Sequence, residues 1–252
     1  MFKFLNKSYP PSETRKYPGN NILDLGQGGP HVCRRGFVVG SLAFVVGCQT
    51  IGLPGEPPLP EPKPDYEAMY AATSDGDFNI PAVRYKRFDH NYLRQVADYP
   101  NSYSPGTIVV DPYAHHLYWT LNSRKALRYG IGVGKAGYAW NGKAIIRAKA
   151  EWPFWRPPQE MIKRKPHLQR YWQNGMPGGP KNPLGARAMY LWQGNEDTLY
   201  RIHGTNNPNS IGRSVSSGCI RMWHQDVIDL YKRVPRYTRV VVIGKTQDTE
   251  KV

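Results

Sequence analysis

The sequence has few cysteines, no long apolar run and a shortage of acidic residues. Its 252 residues contain three cysteines, and no two of them form a Cys-x-x-Cys pair. This spacing excludes a structural zinc site built on thiolates. No segment approaches the ~18 consecutive apolar residues that a membrane-spanning helix requires. The 19 acidic residues stand against 34 basic ones, and the net charge of +15 favours an anionic partner such as nucleic acid, anionic lipid or an acidic polymer.

Turn-forming and apolar residues are both plentiful. The chain contains 25 glycines and 23 prolines, while 40% of its residues are apolar and 12% are aromatic. The apolar content is sufficient for a packed core, which excludes a wholly disordered chain. The turn-forming residues favour many short strands over a helical bundle. We therefore predict a mostly β domain with a few short helices.

Residues 1–48 are predicted to be an export signal. Arg34 and Arg35 precede an apolar run over residues 36–47, which resembles a twin-arginine signal and is too short to span a membrane. A buried core strand is the alternative interpretation of this run. The segment ends with Val45-Val46-Gly47-Cys48, which resembles a lipobox in which Cys48 is acylated after cleavage. The alternative is an ordinary buried Cys48 with cleavage nearby.

Composition divides the rest of the chain. Residues 49–65 carry six prolines and are predicted to form a semi-rigid, extended spacer. Residues 66–103 are predicted to form an N-terminal arm that packs on the following domain and contains a helix around His90–Ala97. Residues 104–244 are predicted to be the main domain, and residues 245–252 a tail.

The main domain contains alternating patterns typical of strands, separated by turns. The predicted strands are Thr107–Val110, Leu117–Leu121, Leu127–Val133, Lys143–Ala150, Arg187–Trp192, Leu199–His203 and Arg239–Ile243. Helices are predicted at Gln159–Arg164 and Gln225–Arg233. The long loop Pro153–Gly185 is predicted to be a lid, because loops of this length in compact domains are usually functional. Trp155 or Trp172 is expected to line a substrate groove beneath it.

His203 and Cys219 are the candidate catalytic residues, in the segments IHGT and SSGCIRM. A neighbouring imidazole makes a thiolate accessible at neutral pH, and an ion pair would lower the thiol pKa and raise the imidazole pKa. Gly218 lets the backbone approach a substrate and leaves N–H groups of the turn to bind an oxyanion. Arg221 lies on the same side of an extended segment as Cys219, where it could bind a carboxylate or stabilise the thiolate.

These motifs resemble the L,D-transpeptidase (YkuD-type) catalytic domain over about residues 104–244. The pattern HGT…SxGCIRM…DVxxLY carries the resemblance, with sixteen positions from His203 to Cys219. The segments Asn182–Gly185 and Gly130–Gly134 are also similar to the family. The resemblance implies a mixed, β-sandwich-like domain in the bacterial cell envelope, with Cys219 as nucleophile and His203 as base. The Gly204 carbonyl would orient His203.

The resemblance also implies roles for the residues around Cys219. Arg221 would lie in the site, and Ser216, Ser217 and Gly218 would form the turn that contacts the oxyanion or substrate. Many members of the family carry His where this sequence has Ser217. A role of that position in substrate contact therefore does not transfer directly.

The implied activity is that of a peptidoglycan L,D-transpeptidase with no metal or organic cofactor. Cys219 would attack the carbonyl on the L-centre of a diamino acid in a tetrapeptide stem, and the terminal D-alanine would leave with a proton from His203. An amine on a neighbouring stem or on an envelope protein would take the acyl group, or water would make the enzyme a carboxypeptidase. We expect a periplasmic or envelope location, with a lipid anchor if Cys48 is acylated. The export signal argues against a nucleic-acid partner.

Four other classes remain as alternatives. A sortase-like transpeptidase is expected to carry a TLxTC-like strand and an Arg well beyond the Cys, and this sequence has neither. A papain-like or NlpC-type peptidase places its Cys before its His, which is the reverse of the order here. A zinc hydrolase would use Cys219, His203 and His224, although the position of His224 equally suits the start of a helix without chemistry. A non-enzymatic lipoprotein that binds wall polymer would not depend on Cys219.

Overall fold

The computed structural model describes residues 63–134, 140–216 and 218–244. The predicted export signal with Cys48, the greater part of the predicted spacer, Ser217 and the predicted tail lie outside the described residues. Among the residues that the structure describes, no helix is both long and apolar enough to cross a membrane.

Short strands dominate the described chain. The strands are β1 Thr73–Asp75, β2 Phe78–Ile80, β3 Gln95–Asp98, β4 Ile108–Asp111, β5 His116–Thr120, β6 Lys125–Gly130, β7 Val133–Gly134, β8 Gly142–Glu151, β9 Arg187–Gln193, β10 Glu196–Gly204, β11 Ser214–Ser216, β12 Ile220–Met222 and β13 Arg239–Val242. The α-helices are α1 Tyr66–Met69, α2 Gln159–Arg164 and α3 His224–Arg233. Short 3₁₀ segments occupy Tyr85–Arg87, His90–Tyr92, Pro166–Tyr171 and Pro208–Ser210. The predicted mostly β fold with a few short helices is confirmed.

Nine strands form one mixed sheet in the order β12-β10-β9-β8-β13-β4-β5-β6-β3. β10 runs parallel to β12 and β13 runs parallel to β4, while the other neighbours in the sheet are antiparallel. Alternate residues of the strands point into the core, where Ile108, Leu117 and Ile146 are fully buried. Val227 and Leu230 of α3 join the same core cluster, so this helix covers one face of the sheet.

Each predicted strand overlaps an observed one, although the stretch Leu127–Val133 is divided between β6 and β7. The predicted helix at residues 159–164 has the predicted bounds, and α3 begins one residue earlier than predicted, at His224. The helix predicted around His90–Ala97 is wrong. His90–Tyr92 form a 3₁₀ turn, and Gln95–Asp98 pair with β6 as the edge strand of the large sheet.

The N-terminal arm packs on α3 through buried polar groups. The Tyr70 hydroxyl donates to Asp226 Oδ2 at 3.3 Å, and Gln225 Nε2 donates to the carbonyl oxygens of Ala71 and Pro81 at 3.1 and 3.0 Å. The Arg94 guanidinium lies 3.0 Å from an Asp229 carboxylate oxygen. These contacts fix the arm against the side of the domain where α3 begins.

Aromatic side chains complete the contact between arm and domain. Trp223, which precedes α3 and is 1% exposed, packs edge-on against Tyr70 and Phe88 with ring centroids 5.4 and 4.9 Å apart. Arg187 of β9 forms a bidentate ion pair with Asp75 of the arm at 2.6 and 2.8 Å. A buried, bidentate pair is directional, so it fixes the position of β1 relative to the sheet.

Candidate active site

The parallel pairing of β10 and β12 brings the two candidate catalytic residues to one face of the sheet. Ile202 pairs with Ile220, and His203 pairs with Arg221. Ile202 and Ile220 point into the hydrophobic core. Because side chains alternate along a strand, His203 and Arg221 lie on the opposite face, and Cys219 precedes Ile220 on that same side.

His203 is held by the backbone next to it. Its Nδ1 lies 2.5 Å from the carbonyl oxygen of Gly204. A carbonyl only accepts hydrogen bonds, so Nδ1 donates and the neutral ring keeps its lone pair on Nε2. The ring is 4% exposed. Burial is the main reason that its pKa falls to about 4, with Arg221 adding to this effect and the Gly204 carbonyl opposing it.

Cys219 is half-buried, and its thiol lies against the backbone of β10. Its Sγ is 3.9 Å from the carbonyl oxygen of Leu199. Burial raises its pKa, while the Arg201 backbone N–H and the charges of Arg201 and Arg221 act in the opposite direction. The thiol pKa is raised and the imidazole pKa is lowered, which is the reverse of what an ion pair would produce. The resting site therefore favours a neutral thiol and a neutral imidazole.

Arg201 belongs to this site and was missed from the sequence. Its guanidinium forms a bidentate ion pair with Asp197, with both distances 2.7 Å, and lies 4.6 Å from the centroid of the Tyr190 ring. Its charge acts on the thiol together with that of Arg221. The available signal was its position two residues before His203 on one strand, which places both side chains on the same face.

An irregularity in β10 shapes the backbone beside the thiol. Pairing with β9 shifts register between Asp197 and Arg201, and Leu199 adopts a left-handed conformation with φ of 61°. Asp197 Oδ1 accepts the Leu199 N–H at 2.9 Å, and Thr198 Oγ1 accepts the Tyr200 N–H at 3.2 Å. The bulge presents the Leu199 carbonyl to Cys219 and leaves the Leu199 side chain 69% exposed. Bulges next to active sites commonly redirect backbone in this way.

The segment Asn182–Gly185 contacts both the His203 ring and the backbone of Gly204. The backbone of Leu184 forms a hydrogen bond with the His203 ring. Gly185 has φ of +63°, and a Cβ there would lie 2.6 Å from His224 Cε1 and 2.8 Å from the Gly204 carbonyl carbon. Only glycine therefore fits between the His224 ring and the backbone of Gly204.

His224 completes this support, which the sequence did not predict. Its Nδ1 accepts a hydrogen bond from the Ala186 N–H at 3.2 Å. Burial lowers the pKa of His224 to about 4, while the charge of Asp75 opposes the shift. The ring is therefore neutral near pH 7. His224 is the first residue of α3 and packs against Gly204, the residue whose carbonyl holds His203.

The loop predicted to be a lid is closed at its base by one side chain. Asn182 is 1% exposed, and its Nδ2 donates to the carbonyl oxygens of Pro153, Met176 and Pro177 at 2.9, 3.3 and 3.0 Å. Trp155 exchanges both backbone hydrogen bonds with Met176, at 2.9 and 2.7 Å. Trp155 and Trp172 are both half-buried. Their predicted role in lining a groove stays a prediction.

Gly218 lies close to the Tyr200 ring, and its expected approach to a substrate stays a prediction. Its φ is +137°, and a Cβ there would lie 3.3 Å from Tyr200 Cε1. The Tyr200 ring stacks on Trp140 with centroids 5.1 Å apart. Ser216 ends β11, where its backbone pairs with Gly134.

Within the described parts of the chain, no group of three or more His, Cys, Asp or Glu side chains could hold a metal ion, so a ligand set of Cys219, His203 and His224 is not assembled.

Fold and site together define a mostly β domain with a histidine on one strand, a cysteine directly before the neighbouring parallel strand, and two arginines whose charges act on the thiol. The family model "YkuD: L,D-transpeptidase catalytic domain" matches residues 105–242. The chain belongs to this family, and the family predicted from the HGT and GCIRM motifs is confirmed.

Known proteins are similar over the same region. The probable L,D-transpeptidase ErfK/SrfK of Escherichia coli K12 is 34% identical over 152 residues, which cover 58% of this chain and 46% of that protein. The chain thus spans about half the length of this curated relative. A crystal structure described as a probable carnitine operon oxidoreductase caia from Brucella melitensis is 53% identical and covers 64% of this chain and 99% of its own, with a TM-score of 0.44. An L,D-transpeptidase from Mycobacterium smegmatis is 19% identical and covers 55% of this chain and 58% of its own, with a TM-score of 0.39.

Proposed function

We propose that this chain is a peptidoglycan L,D-transpeptidase that forms an acyl-enzyme on Cys219. The observation that supports the proposal is the parallel pairing of β10 with β12, which brings Cys219 to the same face of the sheet as His203, whose Nδ1 is held by the Gly204 carbonyl. That hydrogen bond fixes the tautomer in which Nε2 can accept a proton, which is the role of a general base. Membership of the family supports peptidoglycan stem peptides as the substrate.

The pKa directions favour a mechanism that starts from the neutral pair. As the Cys219 sulfur attacks the carbonyl carbon on the L-centre of the diamino acid, its proton passes to His203 Nε2. The tetrahedral intermediate collapses by breaking the bond to the D-alanine nitrogen, which receives the same proton from His203. The N–H groups of Gly218 and Cys219 are the proposed oxyanion donors.

Arg201 and Arg221 contribute to this mechanism through their positive charge. Their charges favour the thiolate as it develops, in opposition to the burial that raises the thiol pKa. A guanidinium also binds a carboxylate in a bidentate manner, so Arg221 is the proposed contact for the carboxylate of the leaving D-alanine. Asp197 already occupies the fork of Arg201, which makes Arg201 the less available of the two.

The acyl group is then transferred to an amine, whose attack on the thioester regenerates Cys219. A neighbouring stem peptide or an envelope protein can supply this amine, and attack by water would make the enzyme an L,D-carboxypeptidase. Neither route requires a metal or organic cofactor. The proposed substrate places the protein at the cell envelope, with a lipid anchor if Cys48 is acylated.

The test is incubation of the purified protein with tetrapeptide-containing muropeptides, followed by mass analysis of the products. Wild type should release D-alanine and yield a crosslinked or trimmed product, whereas Cys219→Ala and Cys219→Ser should yield none. A carbapenem should add covalently to the wild type alone, as seen by intact mass. His203→Gln should slow acylation by several orders of magnitude. His116→Gln, on β5, is the matched control and should acylate normally. An adduct that persists in Cys219→Ala would exclude Cys219 as the nucleophile.

A further inference from the structure

A cavity of about 330 Å³ lies between the N-terminal arm and the main domain. Residues 79–84 with 87 and 88 line it from the arm, and Trp152, Pro180, residues 205, 206, 208 and 209, and residues 223–225 line it from the domain. Its volume falls at the lower end of the ~300–1,000 Å³ typical of small-molecule sites. It is large enough for one sugar ring with its substituents.

Rigid aromatic rings form part of its wall. The Trp152 indole N–H donates to Asp75 Oδ2 at 2.7 Å, and its ring lies 4.4 Å from the ring of Phe78. The Trp223 indole N–H donates to the Pro208 carbonyl at 3.2 Å. Both indoles therefore have their polar atom occupied by the protein. Trp223 is buried and closes the wall behind the cavity, whereas the half-buried Trp152 offers a ligand an apolar ring surface, which suits the flat face of a sugar.

The polar part of the wall is basic and amide-rich. The lining residues include the exposed side chains of Arg84 and Arg87, and among the described residues of the lining there is no acidic side chain. Asn79 and Asn206 add amide groups that can bind the amide of an N-acetyl substituent or of a peptide. The excess of positive charge at the cavity selects a ligand that carries carboxylates.

One buried acceptor in this wall lacks a partner. Gln225 is 8% exposed, and both of its Nε2 hydrogen bonds go to backbone carbonyls of the arm. Because a carbonyl requires a donor, this pattern fixes the orientation of the amide. Within the described chain its Oε1 has no hydrogen-bond partner. A buried acceptor in this state is costly to leave unpaired. Because the oxygen is closed to solvent, a ligand donor would reach it only if the wall around Gln225 rearranged.

The cavity lies close in the chain to the proposed catalytic residues. Thr205 and Asn206 follow Gly204 directly, at the point where β10 ends, and both line the cavity. His224, which packs against Gly204, also lines it. A molecule bound here would therefore contact the same turn that holds His203.

We propose that this cavity is a second binding site, which takes an acidic muropeptide with its N-acetylated sugar ring against the Trp152 indole and its peptide carboxylates on Arg84 and Arg87. This inference rests on the proposed function, because it names where the substrate is held away from Cys219. Its role is to bind the glycan-linked end of a stem, so that attached substrates are favoured over isolated peptides.

The experiment measures binding of N-acetylmuramyl-L-alanyl-D-glutamate to the full chain by calorimetry. This probe lacks the residues that Cys219 would attack. A matched probe has both carboxylates amidated. The variants are Arg84→Glu and Arg87→Glu, with Arg124→Glu, an exposed arginine between β5 and β6, as the control. We expect the acidic probe to bind wild type and Arg124→Glu equally, and to bind each cavity variant at least tenfold more weakly. Amidation should weaken binding to wild type.

Two further measurements separate the cavity from the catalytic groove. Protein already acylated at Cys219 by a carbapenem should keep its affinity for the probe, and Arg84→Glu and Arg87→Glu should be acylated at the wild-type rate. Equal affinity across all variants, or loss of the probe after acylation, would overturn the proposed site. Normal acylation of a wild type that fails to bind the probe would refute this inference alone. Probe binding without any acylation would instead refute the proposed catalytic function.

Discussion

Gly185→Ala is the substitution whose effect on the site can be worked out most directly. The new Cβ would lie 2.6 Å from His224 Cε1 and less than 3.0 Å from two backbone atoms of Gly204. Because the Gly204 carbonyl accepts the His203 Nδ1 hydrogen bond, any displacement of Gly204 reaches the proposed base. We therefore expect Gly185→Ala to slow acylation of Cys219 without any change to either proposed catalytic residue.

Two terms make up the expected cost in stability. Residue 185 has φ of +63°, and an L-residue in the left-handed region costs about 1–2 kcal/mol. Overpacking of a tight contact costs about a further 1–3 kcal/mol. Gly194→Ala isolates the first term, since Gly194 has φ of +54° and a Cβ there would meet no atom within 4 Å. For a chain of this size, each kcal/mol lowers Tm by roughly 2–4 °C.

The assay compares both variants by thermal unfolding and by the rate of carbapenem acylation. Gly194→Ala should lose a few degrees and acylate as wild type. Gly185→Ala should lose more, and its acylation should slow by about 100-fold, the effect typical of a misplacement of about 1 Å at a catalytic group. If Gly185→Ala acylates as fast as Gly194→Ala at a temperature where both are folded, the support of His203 through Gly204 is refuted.

Other predictions concern pH and the loop. Burial lowers the pKa of His203 and His224 to about 4, below the ordinary value near 6.5, so they should cost stability as pH falls from 6.5 to 4. His224→Asn should weaken that dependence in a Tm series, and an unchanged slope would contradict the assignment. Burial raises the pKa of Asp226 to about 7, so this group should cost stability as pH rises from about 4 to 7. Asp226→Asn should remove that component, and denaturant titrations at both pH values measure it. Trp172→Ala should weaken binding of stem peptide more than it lowers Tm, and the reverse result would exclude a lid role for this residue.

Most strands could be predicted from the sequence because the alternation of apolar and polar residues is local. Ile108–Asp111 and Arg239–Val242 read as strands without knowledge of their partners. The segment Gln95–Asp98 could not be read in this way. Its preference for strand comes from backbone hydrogen bonds to β6, thirty residues further along the chain. Pairing across such a separation overrides a weak helical pattern.

Only the site residues that belong to a short sequence motif could be predicted from the sequence. His203 and Cys219 stand in short, specific segments, whereas Arg201 gains its position beside the thiol only through the pairing of β10 with β12. The role of His224 was missed for a related reason. Its contact with Gly204 depends on Gly185, nineteen positions before Gly204 in the chain, and no local pattern shows that the three meet.

Because the N-terminal arm packs on α3, we expect the cooperative folding unit to include residues 66–103 as well as residues 105–242, which the family model matches. A chain shortened to residues 105–242 would keep both proposed catalytic residues. It would also leave Trp223 without Tyr70 and Phe88, and Asp226 and Asp229 without the charge of Arg94. The newly solvated Trp223 indole would form an exposed hydrophobic patch that favours aggregation. The carboxylates of Asp226 and Asp229 would repel each other within α3, the longest helix among the described residues. The arm is therefore better regarded as part of the domain's core packing than as a separate extension.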